Sequence, residues 1–174
     1  MKETCNIFLI GFMGCGKSTV AAKLNRMYGM NVVEMDQMIE KEQHLSIPEI
    51  FERYGEEHFR NLESELLKKI QLGSNQVVSC GGGVVLREQN VAEMKKNGRI
   101  VLLTAKPENV LKRVKGNDDR PILKGKKNVQ DIAELMEKRR EKYEAAADFV
   151  VATDDKQVRA ICEEIMQKIE GIED

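Results

Sequence analysis

The chain has 174 residues, of which 41% are hydrophobic and 33% are charged, and its formal net charge is −1. This length and composition are typical of a globular chain that buries a core without disulfides or a structural metal. The small net charge argues against nucleic acid or an anionic membrane as a partner. The four cysteines, at positions 5, 15, 80 and 162, are far apart in the sequence. This spacing argues against a zinc site and favours free thiols, so we expect a cytoplasmic protein. We also expect a monomer.

Apolar runs and helical patterns alternate along the chain. The predicted elements, in chain order, are a strand at residues 6–10, a helix at 17–28, a strand at 31–35, helices at 37–42, from 46 and at 56–72, a strand at 76–79, a helix at 87–97, a strand at 99–104, a helix at 107–114, a loop at 115–127, a helix at 129–146, a strand at 149–152 and a helix at 156–169. Ser46 and Glu49 form a capping box at the start of one helix. The alternation predicts an α/β fold, with a five-stranded parallel sheet covered by helices on both faces.

Residues 11–18, Gly-Phe-Met-Gly-Cys-Gly-Lys-Ser, match the pattern G-x-x-x-x-G-K-[ST] between a predicted strand and a predicted helix. This is the context that a phosphate-binding P-loop requires. Backbone N–H groups and the helix dipole would hold phosphate oxygens, Lys17 would reach the β- and γ-phosphates, and Ser18 would ligate Mg²⁺. Because the chain is short and lacks a guanine-reading signature, a small-molecule kinase is favoured over a motor or a GTPase switch.

Three further groups of residues indicate an acceptor site. Glu34 and Asp36 follow the second strand, where ligands bind in folds of this type. Arg60 and Glu63 are three residues apart on one helix, and an arginine oriented by a glutamate suits a carboxylate. A carboxylate such as Asp36 can align a hydroxyl and accept its proton. Taken singly, these groups could also be a strand-end turn and a surface ion pair.

The third group is the triplet Gly81-Gly82-Gly83, which follows the third predicted strand. Bare backbone would let a flat polar ring lie against the chain, with N–H groups facing its oxygens. The triplet alone could equally be a loop. Together with the P-loop, the three groups predict a small polyol acid as the phosphoryl acceptor.

These motifs together resemble those of the shikimate kinases, from about residue 6 to residue 152. The matching segments include Phe59-Arg60-x-x-Glu63, the glycine triplet, Arg120-Pro121-Ile122-Leu123 and the helix that carries Arg139. The resemblance implies the P-loop kinase fold and the transfer of the ATP γ-phosphoryl group to the 3-hydroxyl of shikimate. It implies one kinase domain over residues 1–174, with substrate-binding helices at about 36–63 and a mobile lid at about 115–127.

The resemblance also implies a role for individual residues. The catalytic residues would be Asp36, Lys17 and Arg120. The ATP-binding residues would be Gly14, Cys15, Gly16, Lys17, Ser18, Thr19, Arg113 and Arg120. The substrate-binding residues would be Asp36, Phe51, Phe59, Arg60, Glu63, Gly81, Gly82, Gly83 and Arg139. Mg²⁺ would be held by Ser18 and by Glu34, which stands where the family usually has an aspartate.

Two alternatives to this function remain open at the level of sequence. One is another small-molecule kinase of the same fold, such as a gluconate or nucleotide kinase. The other is a regulator that binds ATP without turning it over. The loop at residues 115–127 and its flank are rich in lysine and arginine, which suits a cover over a triphosphate but also fits a solvated charged loop.

Overall fold

The computed structural model describes residues 5–114 and 128–173 of the chain. Within this part, five strands form one sheet: β1 (Asn6–Ile10), β2 (Asn31–Glu34), β3 (Gln76–Ser79), β4 (Gly98–Thr104) and β5 (Phe149–Ala152). Their order across the sheet is β2-β3-β1-β4-β5, and every neighbouring pair is parallel. All five residues of the central β1 are buried. Since successive side chains point to opposite faces, helices must cover both faces of the sheet.

The described residues also form eight α-helices. They are α1 (Lys17–Tyr28), α2 (Met35–Gln43), α3 (Ile47–Tyr54), α4 (Glu56–Ile70), α5 (Glu88–Lys96), α6 (Pro107–Val114), α7 (Val129–Ala146) and α8 (Val158–Glu173), with a short 3₁₀ turn at Val84–Leu86. Helix α1 packs against α8, α4 packs against α2, α3 and α5, and α6 packs against α7. The predicted fold class, a parallel five-stranded sheet between helices, is therefore confirmed. In the part of the chain described here, no helix has both the length and the apolar character needed to cross a membrane.

The prediction that the second strand includes Met35 is wrong, because α2 begins at that residue. Glu34 ends the strand in an extended conformation and serves directly as the N-cap of the helix, so no linker separates the two elements. Met35 is fully buried, and an apolar residue at a strand-to-helix junction fits either pattern. Asp36 consequently lies in the first turn of α2, where the helix dipole favours a negative charge. The closing helix also differs, since it begins at Val158 rather than at residue 156.

The predicted capping box at the start of α3 is confirmed. The Ser46 hydroxyl accepts a hydrogen bond from the Glu49 N–H at 3.3 Å, and the Ser46 N–H donates to Glu49 Oε1 at 3.4 Å. Reciprocal bonds of this kind satisfy two N–H groups that a helix start leaves unpaired. The box begins α3 close after α2, and α3 then packs on α4, the helix that carries Arg60.

Candidate active site

The carboxyl ends of β1, β2 and β3 meet at one edge of the sheet. Ser79, the last residue of β3, pairs with Glu34 on one side and with Leu9 on the other. Parallel sheets bind ligands at this edge. A cleft of about 460 Å³ lies there, and its lining includes residues predicted to bind ATP, Mg²⁺ or the acceptor: Gly14, Gly16, Lys17, Ser18, Thr19, Glu34, Asp36, Gly82 and Arg113.

The loop after β1 has the features of a phosphate cradle. Gly16 is the N-cap of α1 and adopts the left-handed conformation, with φ 99°, which glycine adopts without strain. As the N-cap, Gly16 has no side chain that could bond to the N–H groups of the first turn, so these groups can bind an anion. The Lys17 ammonium donates to the Gly11 carbonyl at 2.6 Å, and Arg113 donates to the Gly14 carbonyl at 2.8 Å. Both cations therefore lie against the loop that phosphates would enter.

Oxygen ligands suited to Mg²⁺ lie beside this loop. The Ser18 hydroxyl donates to Glu34 Oε2 at 3.0 Å and lies 3.4 Å from the Ser79 hydroxyl. Hydroxyl and carboxylate oxygens are hard ligands, and Mg²⁺ is commonly held by one or two carboxylates together with substrate phosphates. Among the described residues no three His, Cys, Asp or Glu side chains form a metal-binding group. Ser18 and Glu34 thus fit the predicted Mg²⁺ site.

The glycine triplet is where charged side chains of the protein itself approach the backbone. A Cβ atom on Gly81 would lie 2.5 Å from Glu63 Oε2 and 3.0 Å from Asp36 Oδ1, and one on Gly83 would lie 2.5 Å from Arg60 Cζ. Real Cβ atoms essentially never come within 3.0 Å of such atoms. None of the three glycines has a positive φ, so the requirement at these positions is space and not backbone conformation. Side chains of the protein therefore account for the lack of a side chain at Gly81 and Gly83, and the predicted approach of a ligand ring stays a prediction.

Arg60 and Glu63 form an ion pair that is almost fully removed from solvent. Arg60 Nη1 donates to Glu63 Oε1 at 2.8 Å, and Arg60 Nη2 donates to Glu56 Oε1 at 3.0 Å. Burial would lower the pKa of Arg60, but the two carboxylates raise it above its usual value, so the guanidinium stays charged. Burial raises the pKa of Glu63 by more than Arg60 lowers it, and nearby Asp36 raises it further.

Arg139 and Tyr143 on α7 reach the same triplet from another side. A Cβ atom on Gly82 would lie 3.3 Å from Arg139 Nη1, 3.7 Å from the Tyr143 hydroxyl oxygen and 3.8 Å from the Gly11 carbonyl oxygen. The Tyr143 hydroxyl donates to the Gly82 carbonyl oxygen at 2.5 Å, and burial raises the pKa of this phenol. The structure therefore brings Arg139 close to Gly82 and to the start of the P-loop, among the residues predicted to bind the acceptor.

The remaining predicted site residues are more peripheral. The Phe51 and Phe59 rings pack against each other, with centroids 5.1 Å apart, and Phe59 is buried. The Cys15 side chain is buried and lies against the space that a side chain on Gly11 would need. The predicted lid at residues 115–127, with Arg120, lies outside the described residues.

The sequence interpretation missed three residues of this region. Ser79 lies within reach of Ser18, Glu56 pairs with Arg60, and the Tyr143 hydroxyl binds the triplet. The spacing of Glu56 and Arg60, four residues apart on a helix, is a signal that could have identified the pair. Ser79 could have been identified as the final residue of a strand whose neighbours both end in the site. The contact of Tyr143 with Gly82 spans 61 residues of sequence, and no local pattern indicates it.

Together, the P-loop, the hydroxyl and carboxylate groups at its side and a cluster of charged side chains around the glycine triplet are typical of a P-loop phosphotransferase. A family model described as shikimate kinase matches residues 13–170 of the chain. A shikimate kinase from Persephonella marina is 43% identical over 164 residues, which cover 94% of this chain and 98% of the relative. The chain belongs to the shikimate kinase family.

Solved structures agree with this assignment. The structure titled as shikimate kinase from Acinetobacter baumannii in complex with shikimate superposes with a TM-score of 0.91 and 30% identity, covering 97% of this chain and 94% of that one. The structure of shikimate kinase from Aquifex aeolicus has a TM-score of 0.81 and 38% identity, covering 95% and 96%. The chain is therefore an ATP-dependent kinase, and the predicted family is confirmed.

The raised pKa of Glu63 predicts a specific pH dependence of stability. The unfolded chain titrates this carboxyl at its ordinary value, about 4.3, and the folded chain at a higher one. Between the two values the folded state binds more protons, so the free energy of unfolding falls as the pH rises through this window. Glu63→Gln removes the titration, and we expect its stability relative to the unmodified protein to increase from about pH 4 upward and then to level off.

Urea unfolding at a series of pH values measures this difference, and Glu65→Gln is the control, since Glu65 lies on the same helix with its side chain 68% exposed. The control should show no comparable trend. A Glu63→Gln difference that decreases with rising pH would mean that the attraction of Arg60 outweighs burial.

Proposed function

We propose that this chain transfers the γ-phosphoryl group of ATP to the 3-hydroxyl group of shikimate, giving shikimate 3-phosphate and ADP. Membership of the shikimate kinase family supports the reaction. The structural observation that carries the proposal is that Gly82, which lines the cleft, lies close to both Arg139 and the Gly11 carbonyl. A group held by the acceptor cluster would therefore lie next to the phosphates of ATP.

The phosphate half of the site would act by electrostatics. Backbone N–H groups at the start of α1 and the Lys17 ammonium would hold the β- and γ-phosphates, and Arg113 would lie over the loop. When bound, Mg²⁺ would neutralise phosphate charge, and Ser18 and Glu34 would hold it. The phosphates would take the place of the loop carbonyls that Lys17 and Arg113 contact here.

The acceptor half would bind the ring and its carboxylate. Two guanidinium groups, on Arg60 and Arg139, converge on the triplet and suit one planar carboxylate. Arg60 Nε and Arg139 Nη1 are buried and have no hydrogen-bond partner among the described residues. Buried donors of this kind are costly unless a ligand satisfies them, which supports an anionic acceptor at this position.

Asp36 would align the reacting hydroxyl. It lines the cleft on the rigid first turn of α2, next to the triplet and close to the phosphate loop. Its carboxylate would accept the proton of the 3-hydroxyl as the hydroxyl oxygen forms a bond to the γ-phosphorus. The bond from that phosphorus to the bridging oxygen of ADP breaks, and ADP leaves with the electron pair. Arg120, by the family resemblance, would contact the transferring group and complete the proposed machinery.

A panel of acceptors tests the reaction. We expect purified protein with Mg·ATP to release ADP with shikimate, and to release little with gluconate or nucleoside monophosphates. Gluconate carries a carboxylate but no ring, and a nucleoside monophosphate lacks a carboxylate for the two arginines. A coupled ADP-release assay measures this. If only gluconate were turned over, gluconate and not shikimate would be the substrate. If the protein bound ATP but turned over no acceptor, a regulator would be favoured.

Asp36→Asn tests the proton acceptor. The substitution keeps the shape of the side chain but removes its basic carboxylate, so we expect the kcat for shikimate to fall about 10²- to 10⁴-fold while ATP binding is retained. Steady-state kinetics and nucleotide titration measure the two effects. Asp155→Asn, at an exposed aspartate, is the matched control. An unchanged kcat in Asp36→Asn would show that Asp36 is not the proton acceptor.

Arg60→Ala and Gly83→Ala test the carboxylate site from both sides of one contact. The first removes the guanidinium, and the second places a methyl group where that guanidinium lies. We expect each variant to raise the KM for shikimate at least about tenfold, because a charged hydrogen bond is worth about 1.5–3 kcal/mol, with little change in the KM for ATP. Steady-state kinetics with each substrate varied in turn measure this. An unchanged shikimate KM in Arg60→Ala would place the carboxylate elsewhere.

A further inference from the structure

A buried asparagine on α5 bonds to both parts of the acceptor site without lining the cleft. Asn90 is 2% exposed. Its Nδ2 donates to the Val84 carbonyl oxygen at 2.9 Å, and its Oδ1 accepts from the Ser64 hydroxyl at 2.7 Å. Val84 directly follows Gly83, and Ser64 lies one turn after Arg60 on α4. One side chain therefore joins the segment after the triplet to the helix that carries Arg60.

The distance between the glycine triplet and α4, the helix that carries Arg60, must be fixed by contacts between them. The guanidinium of Arg60 lies so close to Gly83 that even one methyl group does not fit between them. The covalent chain does not set this distance, because β3 separates α4 from the triplet. The ion pair of Arg60 with Glu63 lies within α4 and orients the guanidinium only relative to its own helix. Apolar packing tolerates small sliding movements, whereas directional hydrogen bonds do not.

The hydrogen-bond network around Asn90 extends through Ser64 to Arg87 and Asn61. Arg87 Nη1 donates to Asn61 Oδ1 at 2.8 Å and lies 3.4 Å from the Ser64 hydroxyl oxygen, toward which it also donates. The single proton of that hydroxyl has Asn90 Oδ1 at 2.7 Å and the Arg60 carbonyl oxygen at 3.1 Å as acceptors. The part of the network formed by Ser64, Asn90 and the Val84 carbonyl is buried, and removing one of these members leaves other buried polar groups unsatisfied.

We propose that Ser64 and Asn90 are positioning residues for substrate binding: they set the distance between Arg60 and the glycine triplet. They act through Arg60 and the backbone, and neither lines the cleft. This inference rests on the proposed function, in which Arg60 and the triplet bind the acceptor carboxylate. The hydrogen bonds from Ser64 to Asn90 and from Asn90 to Val84 form the bridge between α4 and the triplet. We expect this bridge to affect the binding of shikimate and not the binding of ATP.

Ser64→Ala, Asn90→Ala and the double variant test the proposal. We expect each single variant to raise the KM for shikimate about three- to tenfold, which corresponds to the loss of one net hydrogen bond, with the KM for ATP changed less than about twofold. The double variant should be no worse than the more severe single variant, because both substitutions break the same bridge. Steady-state kinetics and thermal unfolding are measured on all three.

Asn6→Ala is the matched control. Asn6 is also a fully buried asparagine, and its Nδ2 donates to the Gly73 carbonyl oxygen at 3.1 Å, but it lies at the amino end of β1, away from the site. It should lose thermal stability as Asn90→Ala does and leave the shikimate KM unchanged. An equal KM increase in Asn6→Ala would show that general destabilisation is the cause and would overturn the proposal.

Two further results separate this inference from the proposed function. If Arg60→Ala raises the shikimate KM and folded Ser64→Ala does not, the bridge has no positioning role and only this proposal falls. If Arg60→Ala leaves that KM unchanged, the acceptor site itself is misplaced and both fall. Ser64→Ala removes one oxygen from a helix and introduces a good helix former, so it keeps the test valid even if Asn90→Ala does not fold.

Discussion

The packing of charged side chains against the bare backbone of Gly81–Gly83 is the constraint on which the site depends. Glu63 and Arg60 occupy the space that side chains on Gly81 and Gly83 would need, and Arg139 lies next to Gly82. The triplet follows β3, which lies beside β1, and β1 leads directly into the P-loop. Any group that binds the acceptor residues is therefore held beside the phosphate loop. The order of the strands supplies the proximity that phosphoryl transfer needs.

This arrangement buries polar atoms at a cost in stability. In the described part of the chain, Glu63 Oε2, Arg60 Nε and Arg139 Nη1 are buried without hydrogen-bond partners. Unsatisfied buried groups of this kind cost about 1–3 kcal/mol each and are rare in folded proteins. Their concentration around three glycines is hard to explain as packing, since hydrophobic residues of similar size would be more stable there. A ligand that supplies both acceptors and donors would remove the cost, which is the thermodynamic reason to expect a polar, anionic acceptor.

Local patterns in the sequence predicted the elements of the fold well. The strand–loop–helix context of residues 11–18 and the capping box at Ser46 depend on neighbouring residues only, and both are present as predicted. The predicted end of the second strand at Met35 was wrong because a buried methionine fits the pattern of a strand and that of a helix equally well. The triplet indicated a close approach, but the approaching groups come from α2, α4 and α7. Such contacts depend on how distant segments pack, so the pairing of Tyr143 with Gly82 and the bridge through Asn90 could not be read from local sequence.

The two halves of the site are held by different physical means, and this difference suits the two roles proposed for them. Lys17 and Arg113 contact loop carbonyls through hydrogen bonds that a phosphate can replace, and Arg113 is exposed. Such charges attract a nucleotide from a distance and are screened by salt. Arg60 and Glu63, in contrast, are fixed by burial, by each other and by the glycines beside them. Fixed groups distinguish one acceptor from another because a ligand of the wrong shape leaves them unpaired. Selectivity for the acceptor should therefore depend on the rigidity of α4 and the triplet more than on the number of charges in the cleft.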